Sequence, residues 1–311
     1  LRVVVALGGN ALLRRGEPMT AENQRANTRR AAAALGELVR AGHRIVVTHG
    51  NGPQVGLLAL QAASGPADGL YPLDVLGAES EGMIGYLIEQ ELTNALADDA
   101  QFATILTQVR VDPADPAFGK PSKPIGPVYD LPTARKLEAE RGWRVAPDGE
   151  RWRRVVASPK PLEILESRAI GLLVERGINV ICTGGGGIPV IRKADGSLIG
   201  IEAVIDKDLA SALLARQLNA DMLIMLTDVD AVYEGFGKPG ARAIARAAAA
   251  GLPPELFAAG SMGPKLQAAA EFAIATGRPA AIGRLEDADA IVRGARGTRI
   301  DAGTFDTEYR V

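Results

Sequence analysis

Short apolar runs alternate along the chain with longer helix-like segments, a pattern that predicts a mostly parallel sheet covered by helices. Residues 3–7 read as a buried strand broken by Gly8-Gly9-Asn10, and residues 21–41 as an alanine-rich helix ended by Gly42. Residues 44–48 form a second predicted strand, residues 73–97 contain a long helix, and residues 103–109 form a third strand. Further on, residues 163–176 read as helix and 178–183 as a strand running into Gly184-Gly185-Gly186-Gly187. Residues 189–205 suggest a hairpin turning at Asp195-Gly196. A helix (207–218), a strand (222–227), another helix (265–276) and two closing strands (279–282 and 298–300) follow, and the alanine run 247–250 reads as helix.

Residues 112–160 interrupt this rhythm. They hold 8 of the 19 prolines, both tryptophans and half of the lysines. A long structureless loop is uncommon inside a compact domain, so this stretch reads as an inserted, proline-stiffened subdomain within one domain spanning 1–311.

With 47% hydrophobic and 23% charged residues, 311 residues can bury a sizeable core. No apolar run approaches the roughly 18–20 residues of a membrane span, and near the start Gly8-Gly9-Asn10 and Arg14-Arg15 break up what could pass for a leader. Net charge is −2 with both signs dispersed, so no nucleic-acid footprint is expected. The single cysteine, Cys182, fits a reducing, cytoplasmic setting, and with two histidines it leaves little from which to build a zinc site.

Three glycine-rich loops follow predicted strands: Gly8-Gly9-Asn10, Gly50-Asn51-Gly52 and Gly184 to Gly187. Ligands of open α/β sheets gather beyond the carboxyl ends of strands, where glycine lets backbone N–H groups approach an anion. Each loop alone is as well explained as a strand ending; three together point to a phosphate or carboxylate site. The P-loop, dinucleotide and protein-kinase signatures are absent, since Lys265 precedes Leu266, Pro189 spoils the dinucleotide pattern, and no His-Arg-Asp or Asp-Phe-Gly occurs.

Phosphoryl transfer chiefly needs in-line positioning and positive charge on the moving oxygens. The chain has 8 lysines against 27 arginines, and three of the lysines stand in suggestive places. Lys207 lies between Asp206 and Asp208 at a predicted strand-to-helix junction, which is either an ion cluster or a solvated helix start. Lys265 closes Gly260-Ser261-Met262-Gly263-Pro264-Lys265 directly before a helix, and Lys123 is held between prolines in the inserted segment. Thr227, Asp228 and Tyr233 suit either an adenine–ribose shelf or a plain turn, and His49 reads as a packing residue rather than a base. An acceptor that is already an anion needs no general base.

These segments, with His49 to Gly56, Pro121 to Pro127, Arg154 to Pro159 and Cys182 to Val190, closely resemble the carbamate kinases of the amino acid kinase family over essentially the whole chain. The broader family carries a lysine two residues before the first glycine pair, where this chain has Ala6. Carbamate kinases share that feature, the subdomain lysine taking over, and Ala157 stands where the family pattern has proline. The resemblance implies a three-layer αβα sandwich around a mostly parallel sheet of about eight strands, with a protruding subdomain. It further implies a cytoplasmic homodimer that interconverts ATP plus carbamate and ADP plus carbamoyl phosphate with Mg²⁺, often towards ATP in fermentative arginine breakdown.

On this reading Gly8, Gly9, Asn10, Lys207 and Lys265 hold the phosphates, and Lys123 swings in to stabilise the transferred group. Asp208 orients the lysines, and Gly50, Asn51, Gly52, Gly185 and Gly186 take the carbamate. Thr227, Asp228, Tyr233, Met262 and Gly263 take the nucleotide, and no residue is assigned as a metal ligand. Residues 1–111 and 161–200 would serve mainly the acceptor, and 201–311 the nucleotide. A kinase for another small acid and a non-catalytic sensor are the alternatives.

Overall fold

The computed structural model describes residues 1–14, 16–64, 71–97, 100–252 and 262–310, without the side chains of Asn10, Ala63 and Ser64. The chain opens with β1 (Arg2–Leu7), α1 (Gly9–Leu12), α2 (Ala21–Arg40), β2 (Arg44–His49), α3 (Gly52–Ser64), α4 (Leu73–Leu96), β3 (Phe102–Ile105) and β4 (Gln108–Val111). The inserted stretch carries β5 (Lys123–Tyr129), α5 (Leu131–Arg141), β6 (Arg144–Asp148) and β7 (Arg151–Val156). Then come β8 (Pro161–Ile164), α6 (Ser167–Glu175), β9 (Asn179–Cys182), β10 (Ile188–Arg192), β11 (Leu198–Gly200) and α7 (Lys207–Gln217). The chain continues through β12 (Met222–Thr227), β13 (Val232–Glu234), β14 (Arg242–Ala248), α8 (Met262–Thr276), β15 (Ala280–Arg284), α9 (Ala288–Val292), β16 (Thr298–Asp301) and β17 (Glu308–Tyr309).

The central sheet runs β13-β14-β16-β15-β12-β1-β2-β9-β3, with the two-residue β17 added on β14 to make ten strands. From β15 through β12, β1, β2 and β9 to β3, every neighbouring pair is parallel. Strand β1 shows why two helical layers are needed. Val4 and Ala6 enter the apolar cluster under α6, α7 and α8, while Val3, Val5 and Leu7 enter the one under α2, α4 and α9. Successive side chains point to opposite faces, so a strand apolar at every position must be covered twice. Among the described helices none is long and apolar enough to cross a membrane.

Register places the functional loops along one edge. Leu7 pairs with Leu226 on one side and His49 on the other, so β1, β2 and β12 end level with one another. Helix α7 starts at the same edge because Asp206 caps it, its carboxylate accepting the N–H groups of Asp208 at 2.9 Å and Leu209 at 3.3 Å.

Three expected elements differ. The strand expected over 103–109 is two strands: β3 joins the central sheet, and the chain turns at Leu106-Thr107 so that β4 joins a second sheet ordered β11-β10-β4-β8. The helix expected over 163–176 starts only at Ser167, because Pro161–Ile164 is claimed by antiparallel pairing with β4. The alanine run is no helix either: Ala247 and Ala248 end β14, paired with Ile300 and Asp301, and a short 3-10 turn follows. In each case pairing with strands distant in sequence decides the element, and in the last two it overrides an expected helix.

Within residues 112–160 the sheet is antiparallel, ordered β5-β7-β6, with α5 capped by Asp130 and ended by Gly142 at φ 66°. Its apolar core is thin, and arginines stack on its tryptophans, Arg154 lying 4.7 Å from the Trp143 ring centre and Arg135 5.4 Å from that of Trp152. The unit rests on α3, where a methyl added to Gly56 would stand 2.6 Å from Gly126 Cα. Two main chains touch there, and no side chain can yield. G56A is therefore expected to lose about 1–3 kcal/mol of stability in chemical denaturation. In α4, Gly77 has nothing within 4 Å of such a methyl, so G77A should gain up to about 1 kcal/mol from helix propensity.

Candidate active site

At the start of α7, Lys207 Nζ lies 2.6 Å from Asp208 Oδ1, and Lys265 Nζ lies 3.0 Å from Asp208 Oδ2. Helix α8 begins at Met262, so Lys265 lies inside its first turn and not ahead of it as expected, with only 6% of its surface exposed. Burial alone would push the Asp208 carboxyl up. The two ammonium groups outweigh it by charge and hydrogen bonding and hold it at about 2. Burial, with the nearby Lys265 charge, lowers the Lys207 ammonium against the pull of Asp208.

The glycine loops close on this cluster. A methyl on Gly50 would stand 3.4 Å from Gly9 Cα and 3.5 Å from Lys207 Cε. Gly8 donates its N–H to Leu226 O at 2.9 Å, keeping the first loop against the end of β12. Lys123, at the start of β5, reaches over from the inserted unit to place Nζ 2.8 Å from Asp206 Oδ2. Asp206 thus caps α7 with one oxygen and holds Lys123 with the other. It was not among the expected site residues, although its place two positions before Asp208 and directly ahead of a helix was a readable capping signal.

A second loop pair lies beside the cluster. Asn51 Nδ2 donates to Ser80 Oγ at 2.8 Å, and a methyl on Gly185 would fall 2.2 Å from Asn51 Cγ. Gly185, Gly186 and Gly187 all have positive φ, and Thr183 joins them at 55°. His49 is fully buried; burial, with Lys207 nearby, pushes it down to about 4, and it packs as a neutral ring beside Gly184. Behind Gly184 sits Glu81, a buried acid with no local sequence signal to single it out. Burial pushes it up to about 8, against the N–H groups of Gly184 and Thr107.

Of the residues expected to take the nucleotide, Thr227 ends β12 and donates to Asp228 Oδ1 at 3.1 Å. Tyr233 sits in the outlying strand β13, where its hydroxyl donates to Asp230 at 3.0 Å, and it makes no bond to Thr227 or Asp228. Met262 and Gly263 open α8 one turn from Lys265. The side chain of Asn10, and Gly260 and Ser261, lie outside the described residues. A cleft of about 940 Å³ opens between the inserted unit and α4, lined in part by Trp143, Arg154 and Glu202, and contains none of the residues above. The arrangement offers three ammonium groups against two carboxylates beside the glycine-rich loops, and so suits an anion with several oxygens.

Known proteins share this plan. The sequence profile of the amino acid kinase family matches residues 1–284. A carbamate kinase of Rhizobium meliloti is 56% identical, the match covering 100% of this chain and 96% of that one. One from Pyrococcus horikoshii is 45% identical over 96% of this chain and 98% of that protein. The solved structure of a carbamate kinase from Giardia lamblia bound to AMP-PNP superposes with a TM-score of 0.90 at 42% identity, covering 97% of this chain and 98% of that one.

The Asp208 cluster has a measurable signature. Its folded value of about 2 lies below the ordinary 3.8, so its contribution of about 2 kcal/mol is present above pH 3.8 and lost as pH falls through 2. D208N should lack that acid-dependent component and leave two buried ammonium groups without their counter-ion. A loss of about 3–5 kcal/mol at neutral pH is expected in denaturant titrations.

Proposed function

The chain belongs to the amino acid kinase family, and within it we propose that it acts as a carbamate kinase, moving a phosphoryl group reversibly between ATP and carbamate. The observation that carries this reading is the convergence of Lys207, Lys265 and Lys123 on Asp208 and Asp206 at the edge where the glycine loops meet. A carbamate oxygen attacks the terminal phosphorus of ATP. The new O–P bond forms as the bond to the β-phosphate bridging oxygen breaks, and ADP leaves. Carbamate is already an anion, so no proton must be removed, and a buried neutral His49 is compatible with a site that uses no general base.

Lys207 and Lys265 bear on the phosphates and Asp208 orients both. Lys123, released from Asp206, stabilises charge on the group in flight. The broader family's lysine position is here Ala6, 1% exposed within β1, so a cation from the inserted unit is the natural substitute. That favours carbamate over other small acids. The loops of 1–111 and 161–200 supply Asn51 and Gly185 to the acceptor, and 201–311 supplies Lys265 and Thr227 to the nucleotide.

Mg²⁺ would enter on the nucleotide. Among the described residues no group of three metal-binding side chains exists, and Asp206 and Asp208 are engaged by lysines, which fits an ion carried by phosphate oxygens. There it supplies charge neutralisation between the terminal phosphates. The family resemblance further supports a cytoplasmic homodimer serving ATP formation in arginine breakdown.

The test is ATP formation from carbamoyl phosphate, ADP and Mg²⁺, with acetyl phosphate as a parallel donor. Fast turnover with carbamoyl phosphate and little with acetyl phosphate is expected. K123A should fall by about 10²–10³; a loss within about threefold would remove Lys123 from the mechanism. D206N should fall less, because asparagine still caps a helix well.

A further inference from the structure

Two consecutive residues of α4, Ser80 and Glu81, are polar and almost wholly buried, at 0% and 1% exposure. Ser80 Oγ accepts from Asn51 Nδ2 at 2.8 Å and donates to Gly77 O at 2.8 Å. Glu81 Oε1 accepts the Gly184 N–H at 2.7 Å, and Oε2 accepts that of Thr107 at 3.3 Å. The loops so held press on each other, for Gly185 has no room for even a methyl beside Asn51. One turn of one helix therefore fixes both walls of the subsite assigned to carbamate. We propose that Glu81 is a positioning residue of that subsite, its carboxyl group setting where Gly184 and Gly185 stand against Asn51 while Ser80 holds Asn51 from the other side. The proposal rests on the carbamate kinase reading above.

The surroundings decide the state in which Glu81 works. From β2 it faces the neutral ring of His49, from β9 the Cys182 thiol, which burial pushes up, and from the start of α6 the carboxylate of Glu166. Thr107, between β3 and β4, offers its N–H, while its hydroxyl donates to Ile105 O at 2.9 Å. No cation among the described residues bears on Glu81; the charge of Lys207 bears on His49 instead. Burial pushes Glu81 up to about 8, and the two backbone donors offset this only in part. Near neutral pH the balance therefore favours the protonated acid, with both oxygens accepting backbone N–H groups. Ionisation would put an unpaired negative charge behind a wall built to receive an anion.

The sign of the pH effect follows. The folded value exceeds the ordinary 4.5, so the contribution of Glu81 to stability is full below 4.5 and is lost as pH rises through 8. Affinity for carbamoyl phosphate should fall as Glu81 ionises in the folded protein, around pH 8 and above. The experiment measures kcat and KM for carbamoyl phosphate and for ADP from pH 6.5 to 9.5 in the wild type, E81Q and E81A, with melting temperatures alongside. In the wild type, KM for carbamoyl phosphate should rise about tenfold between pH 7 and pH 9 while KM for ADP changes little. E81Q keeps a carbonyl for Gly184 and cannot ionise, so that rise should vanish, and so should its share of the fall in melting temperature. E81A should raise KM for carbamoyl phosphate already at pH 7. An equal alkaline rise in E81Q, or equal effects of E81A on both substrates, would overturn the proposal alone. A wild type that makes no ATP from carbamoyl phosphate would overturn the carbamate reading and this proposal with it. Any alkaline change due to Lys207 is common to wild type and E81Q and cancels in their comparison.

Discussion

A carboxylate taken out of water must be compensated, and the compensation of Asp208 organises the site around it. Moving such an ion from water into protein costs several kcal/mol even after relaxation. Asp208 is 5% exposed and meets that cost with Lys207 from its own helix and Lys265 from α8. The separation of the two helices is thereby tied to the length of two ion pairs. Gly50 lies close to both Lys207 and Gly9, for a methyl added to it would already be in van der Waals contact with each. The spacing of the loops is inherited from a buried charge rather than from the loops themselves, whose glycines have little stiffness of their own.

The two sides of the site solve the problem of buried polarity in opposite ways. Around Asp208 each lysine has a carboxylate partner, and the two ammonium groups beside Asp208 keep that acid ionised. Around Gly184 the described residues form no ion pair: burial favours the neutral form of both His49 and Glu81. A charged half next to an uncharged half matches a reaction in which several phosphate charges lie on one side and a single small anion on the other. Low dielectric makes each arrangement stronger than it would be in water.

Much of this was legible in the sequence. The apolar runs at 3–7, 44–48 and 222–227 mark three central strands because all-apolar runs have no solvent face, and Gly8, Gly50 and Gly184 mark the edge where loops gather. Lys207, Asp208, Lys265 and Lys123 could be picked out because lysine is scarce. What escaped notice depended on pairing across long separations. Pro161–Ile164 becomes a strand only because β4, some fifty residues earlier, lies beside it. Glu81 sits in a helix among other acids with nothing local to mark it, and its partners Gly184 and Thr107 come from other parts of the chain. The second duty of Asp206, holding Lys123 as well as capping α7, likewise needs a residue 83 positions away.

The stacking of arginine on tryptophan in the inserted unit gives the molecule an optical handle. Both tryptophans of the chain, Trp143 and Trp152, lie in that unit. Arg154 covers Trp143 and also bonds to Glu202 at 3.0 Å, and Glu202 in turn accepts the N–H of Leu73 at the start of α4. Lifting the unit away from α4 would carry Arg154 along with its indole and part it from Glu202, leaving the stacked cation without its counter-ion. Tryptophan emission of the unlabelled protein thus originates wholly in the arm that carries Lys123, and its colour and intensity record whether that arm is docked.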